Sequence, residues 1–143
     1  MTITRIEDLD APGQALCHTA LAMRARAYAP YSRFLVGAAL EADSGEVFTG
    51  CNVENVTYGL TRCAEQVAVT KAVSEGARHF RRIAIATDMD PPAMPCGLCR
   101  QCMIEFARDL EIILVNPAGG VRIDHLARLL PGAFLPTDLL DRP

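Results

Sequence analysis

Met94-Pro95-Cys96-Gly97-Leu98-Cys99-Arg100-Gln101 is a proline-led Cys-x-x-Cys that opens an apolar helical stretch through Met103, Ile104 and Phe106. Two thiols three residues apart in the first turn of a helix share a face, so both can reach one ion. The first turn also presents unpaired N–H groups and the positive end of the dipole, which favour thiolate over thiol. Two cysteines do not complete a tetrahedral zinc site. The third candidate is Cys63 in Arg62-Cys63-Ala64-Glu65-Gln66, where a carboxylate stands two residues after the thiol. Three thiolates on Zn²⁺, one open position and a glutamate free to move protons form a catalytic layout; a structural zinc would want a fourth protein ligand.

Outward from these two segments, the pattern alternates between helix and strand. Residues 12–28 carry Ala15, Leu16, Ala20, Met23 and Ala27 at helical spacing. Ala29-Pro30-Tyr31-Ser32 ends that helix, because a residue before proline is pushed out of the α region. Residues 34–41 and 46–53 read as strands joined through Asp43-Ser44-Gly45. Residues 63–75 form a helix stopped by Gly76, and 83–87 a short buried strand. After the second cysteine helix, 112–115 and 121–123 read as strands, 125–130 as a short helix and 137–140 as a last turn. Helix, two strands, helix, strand, helix, two strands, helix is the order of a sheet sandwiched between helices. Both cysteine segments then open helices that follow strands, the end where such sheets gather ligands.

A chain of 143 residues, half of them hydrophobic and 6% aromatic, is read as one domain, 1–143, with a sizeable core. A net charge of −3 argues against a basic footprint for nucleic acid or an anionic membrane. No apolar run approaches the ~18 residues of a membrane span, and the start has no signal-peptide core, so a cytoplasmic location is expected. In that setting six cysteines point to metal or redox chemistry and not to disulfides.

The bland readings compete with the chemical ones. An acid in the first turn of a helix is ordinary placement, and only the company of Cys63, Cys96 and Cys99 turns Glu65 towards catalysis. Cys63 and Glu65 diverge by roughly 200° on an ideal helix, so both flank one spot only if it lies over the helix N-terminus. Cys102, Cys17 and Cys51 read as buried core thiols, and His18, His79 and His125 lack ligand spacing. A thioredoxin-like redox role for Cys96 and Cys99 remains open, as does a closed zinc site using Cys102 or Cys51 as fourth ligand.

The pair Cys63-Ala64-Glu65 and Pro95-Cys96-Gly97-Leu98-Cys99-Arg100-Gln101 resembles the nucleoside branch of the zinc-dependent cytidine deaminases. The likeness extends to residues 29–40, to Gly50-Cys51-Asn52-Val53-Glu54-Asn55 and to Leu130-Pro131-Gly132-Ala133-Phe134, in order and spacing. It implies a three-layer α/β/α sandwich with a mixed five-stranded sheet, and one Zn²⁺ per subunit on Cys63, Cys96 and Cys99. The implied reaction is hydrolysis of cytidine and 2′-deoxycytidine to the uridines and ammonia, with zinc-activated water attacking C4 and Glu65 carrying protons to N3 and the leaving amine. Asn52 and Glu54 would bond the 3′-hydroxyl of the sugar, Phe34 would pack on the pyrimidine, the Ala64 N–H would hold O2 and the Pro95 carbonyl would face the exocyclic amine. A homotetramer is implied, with Tyr58 and Phe134 reaching a neighbour's site. The partner is thus a nucleoside, with no nucleic acid and no membrane.

Three positions depart from that family's pattern. Gln66 replaces the arginine usual after the glutamate in three-cysteine members, Arg62 replaces a small or apolar residue, and Val56 replaces alanine. Three thiolates on zinc leave a net negative charge, for which Arg62, Arg100 and the two helix dipoles are the local compensation. Alternatives to cytidine are N4-substituted or blasticidin-like nucleosides and, from another class, a zinc-stabilised binding protein without turnover.

Overall fold

The computed structural model describes residues 1–141, and the sheet has six strands. The elements are β1 (Thr2–Arg5), α1 (Ala11–Met23), β2 (Gly37–Ala42), β3 (Val47–Cys51), α2 (Ala64–Ser74), β4 (Phe80–Ala86), α3 (Gly97–Ile104), β5 (Glu111–Val115), β6 (Gly120–His125), α4 (Leu126–Leu129) and α5 (Thr137–Leu140), with three short 3₁₀ turns between them. The strand order is β1-β6-β5-β4-β2-β3. Only β4 and β5 run parallel; every other neighbouring pair is antiparallel. The expected five strands are all present, and β1 adds a sixth by pairing Thr2 with Ile123 and Arg5 with Gly120. Its four residues, Thr-Ile-Thr-Arg, are too short a run to show alternation, so backbone pairing to β6 decides it.

Strand parity divides the core into two clusters. Ala38, Leu40, Ile83, Ile85, Ile112 and Leu114 pack with Ala64, Ala68 and Ala72 of α2 and with Cys99 and Met103 of α3. The alternate residues Ala39, Ala84, Ala86, Ile113 and Val115 pack with Leu16, Cys17 and Ala20 of α1. The parallel strands β4 and β5 are buried on both sides and read as continuous apolar runs. Truncating such a fully buried leucine to alanine costs about 2–5 kcal/mol.

Two glycines set how closely the helices approach. A Cβ on Gly37 would lie 2.1 Å from the Ala20 carbonyl oxygen of α1, and one on Gly50 would lie 2.2 Å from that of Ala64 in α2. Bare backbone on β2 and β3 therefore lets both helices lie directly on the sheet. At Gly50 the contact fixes the first turn of α2, which begins one residue after Cys63. Asp10 caps α1 by accepting from the Gly13 N–H at 3.0 Å. Gly76, at φ +99°, ends the α2 segment as its sequence position requires.

Candidate active site

Cys63 and Cys96 are the N-cap residues of α2 and α3, and Cys99 lies one turn into α3. Cys63 therefore precedes its helix instead of lying inside it, which resolves the angular problem with Glu65. An extended N-cap turns the thiol over the helix end, where Glu65 in the first turn also lies. Gln66 accepts the Cys63 N–H at 3.2 Å and so pins this cap.

The three sulfurs lie within 4.8 Å of one another, with Cys96 and Cys99 3.4 Å apart. Tetrahedral zinc with Zn–S bonds of about 2.3 Å spaces its sulfurs by about 3.8 Å, so the cluster fits one zinc ion with small side-chain adjustment. All-thiol donors suit zinc better than magnesium or calcium. Among the described residues no fourth cysteine, histidine or acid joins the group. Cys51 instead bonds the Arg26 carbonyl at the surface side of β3, half-buried where a core thiol is expected, and Cys102 packs half-buried against the core. Cys17 is fully buried, and burial pushes its thiol up to about 12.

A hydrogen bond from Cys99 draws the Cys63 thiol down to about 7, against burial and the nearby Glu65 charge. The same bond, with burial, pushes Cys99 up. A divalent cation bound at the three sulfurs would replace their protons. Glu65 is 4% exposed, and burial pushes its carboxyl up, partly offset by bonds from its own backbone and from Cys99. A buried acid with a raised pKa beside a cation site is suited to accept and return protons. The exposed Arg62 guanidinium donates to the Thr61 carbonyl and makes only a small electrostatic contribution at Cys63. Arg100 donates to the Pro95 and Leu129 carbonyls at 2.9 and 2.7 Å.

A cavity of about 240 Å³ opens over these groups. Cys63, Ala64, Glu65, Cys96 and Cys99 line it together with Phe34, Asn52 and Glu54. It lies where β3 and β4 finish, the strand ends at which open sheets bind ligands. Asn52 is buried; its Oδ1 accepts the Val36 N–H at 2.9 Å and its Nδ2 donates to the Phe34 carbonyl at 2.7 Å. These bonds leave one amide N–H unassigned. The Oε1 of Glu54 accepts the Tyr31 and Ser32 N–H groups at 2.9 and 3.1 Å, and these contacts, with the Ser32 hydroxyl, hold the carboxyl below its usual range.

Not every expected residue reaches this cavity. Pro95 is buried beside it, with Met94 lining the wall instead. Tyr58 lines an adjoining hollow of about 230 Å³ with Tyr31, Ser32, Glu54 and Thr61, its ring 5.8 Å from that of Tyr31. Phe134 does not line the cavity; it is 58% exposed, and its carbonyl accepts from Gln101. The sequence reading passed over Ser32, Thr61 and Thr87 in the wall. Loop hydroxyls carry no periodicity, and only Ser32, inside the Ala29–Phe34 block, had a signal to find.

Residues 12–115 match the family described as "Cytidine and deoxycytidylate deaminase zinc-binding region". The cytidine deaminase of Sporosarcina psychrophila is 47% identical over 117 residues, covering 81% of this chain and 86% of that protein. That of Halalkalibacterium halodurans is 46% identical over 129 residues, covering 90% and 98%. Among solved structures, the cytidine deaminase of Burkholderia pseudomallei superposes with a TM-score of 0.82 at 50% identity, covering 84% of this chain and 97% of that one.

Proposed function

The chain belongs to the cytidine and deoxycytidylate deaminase zinc-binding family, and from that premise we propose that it hydrolyses cytidine and 2′-deoxycytidine to the corresponding uridines and ammonia. The observation that supports this most is a single cavity lined by three clustered thiols and a buried glutamate together with Asn52 and Glu54. Cys63, Cys96 and Cys99 would hold one Zn²⁺, whose Lewis acidity would make water a nucleophile near neutral pH.

The chain's own residues do the rest. Glu65 takes a proton from the attacking water, gives it to ring N3, and delivers the second to the departing amine. Its raised affinity for protons, from burial, suits that return step. Ala64 lies in the first turn of α2, where N–H groups lack helical acceptors, and one of them is free to hold O2 of the ring. By the family likeness the Pro95 carbonyl, which accepts from Arg100 beside the cavity, would turn towards the exocyclic amine. Phe34 packs against the pyrimidine face. Asn52 offers an N–H and Glu54 a carboxylate oxygen to a single sugar hydroxyl, a pairing that suits the 3′-hydroxyl and repels phosphate.

We read the chain as one three-layer domain, since both core clusters rest on one sheet. No helix among the described residues is long and apolar enough to cross a membrane. A cytoplasmic location agrees with six free cysteines, which a reducing compartment preserves. A homotetramer would cover Tyr58 and Phe134, which are 74% and 58% exposed. The decisive experiment follows the ultraviolet absorbance of cytidine and the release of ammonia with purified zinc-loaded protein, beside Glu65→Gln. Conversion by the first and not the second is expected; conversion by neither overturns the proposal.

A further inference from the structure

β2 and β4 pair antiparallel, and the ladder between them stops at Gly37 and Ala86. Past that pair the two segments form a fork, and both branches line the cavity: Phe34 and Val36 from one, Thr87 and Ala93 from the other. The second branch is tied to the sheet. The Thr87 N–H donates to the Val115 carbonyl at 3.1 Å, and the Thr87 hydroxyl accepts the Ala93 N–H at 3.2 Å. The first branch leaves a tight turn at residues 29–33, closed by the Arg33 N–H to the Ala29 carbonyl at 3.0 Å with Arg33 at φ +58°, and joins no ladder before Gly37. Its backbone is held by side chains instead. Asn52 takes the Phe34 carbonyl and the Val36 N–H, and the Leu35 carbonyl between them accepts from Arg24 Nε at 3.1 Å. Arg24 Nη2 lies 3.5 Å from Asp88 Oδ2 on the other branch. By the strand register, Leu35 and Asp88 are opposite positions, two steps beyond the last pair. Arg24 ends α1 at this point, its backbone nitrogen 2.7 Å from where a Gly37 Cβ would stand.

We propose that Arg24 is a positioning residue for the pyrimidine: it straps the fork between β2 and β4 and so fixes where Phe34 meets the ring. The idea rests on the nucleoside reading above. Arg24 does not line the cavity, and it acts through the Leu35 backbone one residue from Phe34. A planar guanidinium presents donors in several directions, so one side chain serves a carbonyl and a carboxylate together. The Leu35 arm carries the role, because the Arg24 side chain is only 16% exposed, whereas Asp88 faces solvent and its ion pair is screened. Without that donor the Leu35 carbonyl turns to water and Phe34 moves with it.

The test is a double-mutant cycle of Arg24→Met and Phe34→Ala, with kcat and KM for cytidine measured by absorbance on zinc-loaded protein. Methionine keeps an apolar stem and removes every donor. Alone it should raise KM about five-fold with kcat nearly unchanged, as expected for losing one bond from a charged donor that supports binding. In the Phe34→Ala background the same substitution should change KM by less than about two-fold, because the residue it acts through is gone. Arg24→Gln, too short to reach both partners, repeats the cycle in milder form if the methionine variant does not fold. An equal loss in both backgrounds, or a loss confined to kcat, would overturn the role of Arg24 while leaving the nucleoside reading intact. No conversion of cytidine by the unsubstituted chain would overturn both.

Discussion

Glu41 and Glu65 are both buried carboxylates, 8% and 4% exposed, and the molecule treats them in opposite ways. Glu41 shares strand parity with Ala39 on the α1 side, where Arg82, its cross-strand neighbour, bonds it and reaches on to Asp10 at 2.9 Å. One guanidinium there serves both carboxylates. Glu65 lies on the α2 side among thiols, with no ion pair among the described residues, and burial raises its pKa. Desolvating a carboxylate without a cation is costly. A chain that neutralises one acid within a saturated network and leaves the other to titrate beside a cation site separates scaffold from chemistry.

The largest test of that separation is Glu65→Gln. Removing a general acid–base should lower turnover by about 10²–10⁴-fold, with no fall in thermal midpoint, since a neutral isostere removes a desolvated acid. A large loss of stability would erase the contrast. The mirror experiment is Arg82→Ala, which strands Glu41 and should cost about 3–5 kcal/mol in urea unfolding, while kcat of the folded fraction holds. Gly50→Ala tests whether the sheet positions the chemistry. A methyl facing the Ala64 carbonyl must displace the first turn of α2. We expect a loss of about 1–3 kcal/mol together with reduced zinc retention under a chelator, because Cys63 caps that turn. The smallest effect is at Asp10, whose bond from Arg82 holds its carboxyl below the usual value. A depressed folded-state pKa contributes stability that is complete above the ordinary carboxylate range and lost as pH falls through the lowered value. Asp10→Asn keeps the helix cap and removes the charge. It should flatten that acid-side decline in urea midpoint and cost under about 1 kcal/mol at pH 7, because this side chain is largely exposed.

Side-chain chemistry was more legible in the sequence than backbone reach. Cys96 and Cys99 declare themselves through spacing, and Cys63 through the acid two residues on. The strands β2 to β6 follow from apolar runs and turn residues, with ends shifted by a few positions: β2 starts at Gly37, and Phe34 and Val36 before it line the cavity. β1 escaped notice because edge pairing with β6 leaves Ile3 76% exposed, without a buried face to imprint alternation. The helix expected over residues 12–28 ends as α-helix at Met23 and continues as a 3₁₀ turn through Arg26, so the proline at position 30 marks a limit and not the boundary. Phe34, Asn52 and Glu54 became a constellation only through the family likeness; long-range closure of the 29–33 turn onto Glu54 has no local signature. The Arg33 backbone and the Gly50 contact are likewise invisible without a fold.

Consecutive residues of α3, Arg100 and Gln101, grip the carbonyls of Leu129 and Phe134, while Arg100 also grasps the Pro95 oxygen that precedes the thiol cap. The far end of the polypeptide is thereby laced to the loop that presents sulfur. Any event that loosens residues 129–134, whether clipping or a neighbour's pull, would be felt at Cys96 through two guanidinium bonds, without a single atom of that tail touching the ligand.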